Sequence, residues 1–268
     1  MRIASRAWLG AAVILLVFAF DSSMCRAQTP PPTDNAAPTP PQRAAAYSVL
    51  AKLPDWAGIW VLDFSATPQG GLADRGPAMR SDTPVLTSKA EAQLKINEVL
   101  EAKNDPPPSE SANCLPPGMP TIMFQPYNVE FLFTPGRVTI IQEAYMQVRR
   151  VYTDGRGHPA NLDPTFNGHS IGHWEGDTLV IDTVGLGHPT PLGYHELMHG
   201  PRLHVIERIH LIAPDKLEDD MTLIDPDILA RPWHEVHTYT RHRNWDQLEY
   251  ICEENNRNQI ENGQIKPF

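Results

Sequence analysis

Histidine is concentrated in the second half of the chain, where all eleven histidines lie. Five consecutive residues, His195 to His199, match the zinc motif H-E-x-x-H. On a helix the two imidazoles share one face and bind one metal ion, and the intervening glutamate acts as general base on the bound water. Pro191 and Gly193 before the motif and Gly200 after it leave about two turns, which is short for a stable helix. The alternative is a chance match in a histidine-rich loop.

A looser metal site would use imidazoles that loops bring together. Besides His195 and His199, the histidines His188 and His204 are close in the sequence. Neutral imidazole binds zinc or copper, and loops together with a strand can assemble several imidazoles around one ion. The sequence establishes no cofactor; zinc is a candidate, with solvated loop histidines as the alternative.

A carboxylate among aliphatic residues suggests acid–base chemistry. Alternate residues of a strand share a face, so Glu207 lies with aliphatic neighbours while His204 and Arg208 face the other side. A desolvated glutamate has a raised pKa and can act as acid or base near neutral pH. The alternative is a structural ion pair between Glu207 and an arginine such as Arg149 or Arg150.

Further polar and aromatic side chains complete the candidate site. His169 and His173 share a face of one predicted strand, and Asp182 lies on the strand that follows. An imidazole held by a carboxylate makes an oriented base. The candidate acid–base or orienting residues are Glu207, His204, His169, His173 and Asp182, and the candidate substrate-binding residues are Arg208, Arg150, Tyr152, Trp174 and Tyr239. For the aromatic residues, ordinary core packing is the alternative.

The elements that would position these residues are short strands. From residue 127 onward, alternating hydrophobicity predicts strands that are separated by turn residues such as Pro135-Gly136. Short connections require antiparallel neighbours, and about eight to ten such strands close into an up-and-down barrel of the lipocalin type. A two-sheet sandwich is the alternative. The predicted strands are 55–62, 128–133, 137–145, 147–153, 168–174, 178–184, 203–212, 217–224, 233–241 and 248–252.

The N-terminal region has the pattern of an export signal. Arg2 and Arg6 precede an apolar run of residues 7–20, and Cys25-Arg26-Ala27 resembles a cleavage site. We expect a signal peptide over 1–27 and a periplasmic or secreted mature protein. The alternatives are an uncleaved anchor helix and a lipid anchor on Cys25.

The rest of the chain is predicted to form a tether and one domain. Residues 28–46 are rich in proline and favour a disordered tether, and residues 47–268 form a single barrel domain. One helix is predicted over 89–103, with Ser88 as its capping residue, and a shorter helix before Pro54. The domain is therefore all-β dominated, with one or two helices on its N-terminal side.

Composition argues against several classes of protein. The formal net charge of −10 is opposite to that of a nucleic-acid-binding protein. Cleavage would remove Arg2, Arg6, Arg26 and Asp21 and take the charge to −12, so no attraction to an anionic membrane is expected. The chain contains neither a glycine-rich phosphate-binding motif nor the G-x-S-x-G motif of many serine esterases.

The cysteines predict one disulfide. Cys25 leaves with the signal peptide, so the mature chain retains only Cys114 and Cys252. Two cysteines in an oxidising compartment favour a disulfide bond, with two buried thiols as the alternative.

Two stretches, YTDGRGHP at 152–159 and GHSIGHWEGDTLVIDTVG at 168–185, carry a resemblance. Together with LHVIERIHLI at 203–212 and EYICEENN at 249–256, they resemble a large family of secreted bacterial proteins of unassigned function. The similarity covers about 54–257, and it brings no established catalytic residues. The opening DWAGIW at 55–60 is also similar to the first-strand G-x-W of lipocalin-like barrels.

These observations favour a protein with a pocket for a small molecule. The expected function is an acid–base enzyme of the lyase, isomerase or hydrolase type that acts on a largely apolar small molecule. A non-catalytic carrier and a zinc-dependent hydrolase built on His195, Glu196 and His199 are the alternatives.

Overall fold

The computed structural model describes residues 46–63, 79–103, 114–187, 190–193, 195–252, 259–261 and 264–266. The predicted signal peptide, the predicted tether up to residue 45 and His188 lie outside the described residues. The strands are β1 Ile59–Leu62, β2 Met79–Ser81, β3 Val129–Thr134, β4 Arg137–Gln142, β5 Gln147–Tyr152, β6 His169–Glu175, β7 Thr178–Val184, β8 His204–Ala213, β9 Lys216–Ile224, β10 Trp233–His242, β11 Gln259–Glu261 and β12 Gln264–Lys266.

Nine of the described strands form one closed barrel. The order around the barrel is β1 followed by β3 to β10, and β10 pairs with β1. The predicted lipocalin-like barrel is thereby confirmed, because a single sheet that closes on itself is a barrel and not a sandwich. Strand β2 pairs with Glu235–His237 of β10, beyond the end of β1, and β11 and β12 form a separate pair.

One neighbouring pair of strands is parallel. In β5 and β6, Val151 lies opposite Ser170 and Tyr152 lies opposite Ile171. Parallel neighbours need a long crossover connection, and residues 153–168 supply it. This crossover segment brings His158 against His169 of β6 and Asp182 of β7.

The predicted strands agree with the observed ones, with a few differences. The first begins only at Ile59, and the third ends at Gln142 because a short 3-10 helix, Ala144–Met146, follows. Residues 248–252 were predicted as a strand, but 245–251 have no regular structure. Strand β2, Met79–Ser81, lies outside the predicted strands, since three residues are too few to show an alternating pattern.

Glycine makes the tight hairpins possible. Gly136 between β3 and β4 has φ +74°, and Gly176 between β6 and β7 has φ +61°. This left-handed region is costly for residues with a Cβ atom and open to glycine. The predicted strands flank both glycines, and both hairpins are observed.

Alternate residues of strands such as β7, β9 and β10 point inward and fill the barrel. In β7 the buried residues are Leu179, Ile181 and Thr183, with half-buried residues between them. A fully buried leucine or isoleucine contributes about 1.5–3 kcal/mol relative to an exposed one. The apolar interior therefore stabilises the fold, and the polar residues within it need an explanation of their own.

Different segments cover the two ends of the barrel. At one end the rings of Trp56, Phe133 and Trp174 contact each other, with centroid distances of 5.4 Å for each pair. At the other end lies the 3-10 helix Thr121–Phe124, where the Tyr239 hydroxyl donates a 2.8 Å hydrogen bond to the Met123 carbonyl.

The long α-helix of the described residues, α1, spans Ser88–Ala102, close to the predicted 89–103. Thr87 caps it by accepting a hydrogen bond from the Ala90 amide, so the predicted capping role of Ser88 is wrong. The helix buries only Ala90 and Asn97. Asn97 reaches the segment after β7, where its side-chain amide donates to the His195 carbonyl at 2.9 Å.

The predicted disulfide is present. Cys114 and Cys252 are joined with their Cα atoms 5.5 Å apart, and the bond closes a sequence separation of 138 residues. Such bonds form in oxidising compartments, as expected for a periplasmic or secreted protein. Among the residues that the structure describes, no helix has the length and apolar character needed to cross a membrane.

Candidate functional site

Three histidines and one aspartate form a continuous chain of contacts on the outer face of the barrel. The Nδ1 atoms of His158 and His169 lie 2.8 Å apart. The Nε2 atom of His158 lies 3.1 Å from Oδ1 of Asp182, and the Nε2 atom of His204 lies 2.8 Å from the same oxygen. These four residues, called the histidine–aspartate relay below, include three of the predicted acid–base residues.

Strand register brings the three predicted residues together. Asp182 on β7 lies opposite Ile171 of β6 and Ile206 of β8. His169 and His204 each stand two residues before those partners, so all three polar side chains share the outer face. Diagonal neighbours of this kind are within reach of long side chains.

His158 was not singled out in the sequence, although it lies in the YTDGRGHP stretch. It comes from the crossover segment and is placed by the parallel pairing of β5 and β6, which the sequence did not predict. The same segment supplies Arg156, whose guanidinium carbon lies 4.1 Å from the centroid of the Tyr152 ring. Tyr152 in turn stacks on His169 at 5.4 Å. The predicted substrate-binding Tyr152 therefore lies beside the relay.

The contacts fix where the protons of a neutral relay lie. An ionised carboxylate only accepts hydrogen bonds, so Asp182 requires an N–H at Nε2 of both His158 and His204. The Nδ1 atoms of those two neutral rings then carry lone pairs. His158 accepts through Nδ1 from the Nδ1–H group of His169, which leaves Nε2 of His169 unprotonated. The relay thus has basic nitrogens at Nδ1 of His204 and Nε2 of His169.

The surroundings of the relay keep His169 neutral and leave the site open. Burial lowers the pKa of His169 below its usual value of 6.5, and His158 and Arg156 lower it further. The side chains of Asp182 and His204 are 41% and 32% exposed. A small molecule in solution can therefore approach the relay without any opening of the barrel.

Glu207, the central residue of the acid–base prediction, lies inside the barrel. Its carboxylate forms a two-pronged ion pair with Arg149, in which Nη1 donates to Oε1 at 2.8 Å and Nη2 to Oε2. Arg149 also donates to Ser170 and Thr183 at 3.1 and 2.8 Å. The side chains of Arg149 and Glu207 are 2% and 0% exposed. The structure thus shows the structural pair that was the alternative, on the opposite side of the sheet from His204.

Further titratable residues lie beside this pair in the interior. Asp219, Glu235 and His237 are buried, and Asp219 lies opposite His237 in the β9–β10 register. Neither carboxylate oxygen of Asp219 has a hydrogen-bond partner among the described residues. Burial raises the pKa of Asp219 well above 3.8, and the charge of Glu207 raises it further. These residues are not among the site residues predicted from the sequence, since acidic residues in an alternating strand are also typical of a solvated face.

Three other predicted residues lie on the outer face away from the relay contacts. The side chain of His173 is 64% exposed, and its Nε2 atom lies 3.1 Å from Oε1 of Glu175. Arg208 donates to the other oxygen of Glu175 at 2.8 Å. Arg150 is exposed on β5. These contacts are those of a solvated surface.

The remaining aromatic candidates pack at the barrel ends. Trp174 belongs to the ring cluster with Trp56 and Phe133. Tyr239 is fully buried, and burial together with the charges of Asp219 and Glu207 raises the pKa of its hydroxyl. Tyr239 therefore serves the core, while Trp174 is half-buried at the surface.

The H-E-x-x-H stretch is not helical, which corrects the zincin interpretation. His195 and Glu196 form a turn with φ +46° and +51°, values of the left-handed region. Nδ1 of His195 lies 3.4 Å from Oε2 of Glu101, whereas Nδ1 of His199 lies 2.7 Å from the Gly200 carbonyl. The shared helix face that the motif requires does not exist.

Zinc binding by loop histidines stays a prediction. Within the described ranges, no group of three or more histidine, cysteine, aspartate or glutamate side chains has the arrangement of a metal site. His188, one of the predicted ligands, lies outside those ranges.

Comparison of the sequence with models of known protein families and with curated proteins finds no match. The geometry of the relay is therefore the observation from which a function can be proposed.

Proposed function

We propose that the protein is a periplasmic or secreted enzyme that uses the histidine–aspartate relay for acid–base catalysis on a small, largely apolar molecule. The observation that carries the proposal is the sharing of one Asp182 oxygen by Nε2 of His158 and Nε2 of His204. A carboxylate that orients an imidazole fixes its tautomer and stabilises the imidazolium ion that forms during proton transfer. The predicted signal peptide and the disulfide support the location.

The relay supports a simple proton-transfer step. Nδ1 of His204 or Nε2 of His169 removes a proton from the substrate, and the charge that develops on the ring is balanced by Asp182. The imidazolium then returns the proton to another atom of the substrate or to a leaving group. Ile171 and Ile206 flank Asp182 on the same face and offer apolar contact to the substrate. This series of proton transfers fits a lyase, an isomerase or a hydrolase.

A general-base probe tests the proposal. In 5-nitrobenzisoxazole, removal of the ring C–H proton breaks the N–O bond and releases a coloured phenolate. We expect the protein to convert this probe faster than free imidazole does at the same concentration. Because a positioned base contributes about 10²–10⁴-fold, the double variant His169→Ala, His204→Ala should lower kcat/KM by at least about tenfold. The two single variants then show which of the two bases acts on this probe.

His234→Ala is the matched control. His234 is an exposed histidine on β10 that bonds to Thr222 and makes no contact with the relay. This variant should keep the wild-type rate. Equal rates for wild type, His234→Ala and a His169→Ala, His204→Ala double variant would show that the relay is not a base, and would favour the carrier alternative.

A further inference from the structure

A groove at the aromatic end of the barrel lies apart from the relay contacts. It has a volume of about 390 Å³ and is lined by Phe133, Pro135 and Trp174, together with Val49 and Leu50 of the N-terminal segment. This volume falls in the range of small-molecule sites, about 300–1,000 Å³. A second depression of about 410 Å³ shares Leu50, Leu53 and Phe133 with this groove.

The N-terminal segment that lines both depressions has little burial of its own. The 3-10 helix Val49–Lys52 has no buried residue, and the Val49 side chain is 58% exposed. The N-terminal segment and the side chains of Phe133 and Trp174 line the same groove, so an apolar ring can lie between them.

The rim of the groove is positively charged, in contrast to the acidic chain as a whole. Arg137 lines the groove, is exposed and makes no ion pair with any described residue. Asp154, which also lines it, is bound by Arg156 through Nε at 2.9 and 3.0 Å. With Asp154 neutralised, one net positive charge faces the groove. A guanidinium group binds a carboxylate in a planar, two-pronged geometry.

We infer that this groove is a binding site for small aromatic carboxylates. The aromatic ring lies against Phe133 and Trp174, and the carboxylate bonds to Arg137. Trp174 was predicted as a substrate-binding residue, and this groove gives it a ligand of defined chemistry. The inference does not depend on the relay, because none of the relay residues lines the groove.

Isothermal titration calorimetry of the mature chain with 2-naphthoate tests the inference. The neutral isostere 2-naphthylmethanol is titrated alongside. We expect 2-naphthoate to bind at least about tenfold more tightly, since its carboxylate forms charge-assisted hydrogen bonds with the guanidinium and the neutral alcohol does not. Arg137→Gln should abolish that preference, whereas Arg231→Gln, an exposed arginine outside the groove, should preserve it.

A second variant tests the wall of the groove without touching the core. Val49 is exposed, so Val49→Asp keeps the fold while it places a negative charge beside the ligand. Affinity for 2-naphthoate should fall by about tenfold or more. Absence of 2-naphthoate binding up to millimolar concentration, equal affinity for the two probes, or unchanged affinity in both Arg137→Gln and Val49→Asp would each overturn the inference. His169→Ala and His204→Ala leave this binding intact, so failure of the relay proposal is distinguishable.

Discussion

Arg149 on β5 and Glu207 on β8 form an ion pair in the interior of the barrel, where both side chains are almost completely excluded from solvent. The register separates the two strands by β6 and β7, and the hydroxyl groups of Ser170 and Thr183 from those strands complete the hydrogen bonds of the guanidinium. The pair therefore links four neighbouring strands. The contribution of the pair to folding stability depends on both residues, because each charge is tolerated in the interior only while its partner is present.

Replacement of Glu207 by glutamine should destabilise the protein by about 3–5 kcal/mol, because the Arg149 charge is left buried without a counter-charge. The double variant Arg149→Met, Glu207→Leu should recover most of this loss, since it removes both charges at similar volume. Guanidinium chloride unfolding of the two variants measures the free energies. If Glu207→Gln were as stable as wild type, the ion pair would not be formed in solution.

Replacement of Asp219 by asparagine should stabilise the protein at neutral pH. The folded state holds the pKa of Asp219 well above its unfolded value of about 3.8, so the folded state binds the proton more tightly. The contribution of Asp219 to the free energy of unfolding is therefore complete below pH 3.8. It is lost as the pH rises from there towards the folded pKa, by about 1.4 kcal/mol for each pH unit.

The pH dependence of Asp219→Asn provides the check. Unfolding free energies of both proteins are measured from pH 4 to pH 8, with Asp220→Asn as the control, since Asp220 is half-buried on the adjacent outward position of β9. The difference between Asp219→Asn and wild type should grow with pH until Asp219 ionises in the folded state. A constant difference across this range would mean that the buried carboxyl has an ordinary pKa.

The tautomers of the relay can be observed directly. Nitrogen-15 NMR of the histidine rings should show His158 and His204 protonated at Nε2 and His169 at Nδ1 at neutral pH. On acidification His169 should titrate below 6.5, because its pKa is lowered. Asp182→Asn should release the fixed tautomers of His158 and His204. The exposed His234 is the internal reference, and a mixture of tautomers in all four histidines would contradict the proton assignment.

The barrel could be predicted because its signals are local. Alternation and turn residues such as Pro135-Gly136 depend on neighbours in the chain, and they placed Thr178–Val184 with the observed bounds. The strand at Met79–Ser81 could not be found in this way. It exists because β10 extends past β1, so that Glu235–His237 can pair with β2, which is a property of the assembled sheet.

The candidate site was predictable only in part, for the same reason. Asp182, His169 and His204 share a face through strand alternation, and this can be read from the sequence. His158 joins them only because the β5–β6 pair is parallel, and sequence spacing does not reveal the direction of a crossover. The choice of Arg149 as the partner of Glu207 likewise follows from which face of β5 points inward.

The turn at His195 and Glu196 is a site of backbone strain. Both residues have left-handed φ values, which cost residues with a Cβ atom about 1–2 kcal/mol each. The Asn97 side chain, buried in α1, holds the turn by donating to the His195 carbonyl. Glu196→Gly should therefore be about 1 kcal/mol more stable than Glu196→Ala, because both remove the carboxyl group and only glycine relieves the strain.

At the exposed helix position Glu98 the order should reverse, since glycine is about 1 kcal/mol less favourable than alanine in a helix. Urea unfolding of the four variants measures the two differences. Alanine at least as stable as glycine at position 196 would show that the turn is not left-handed in solution.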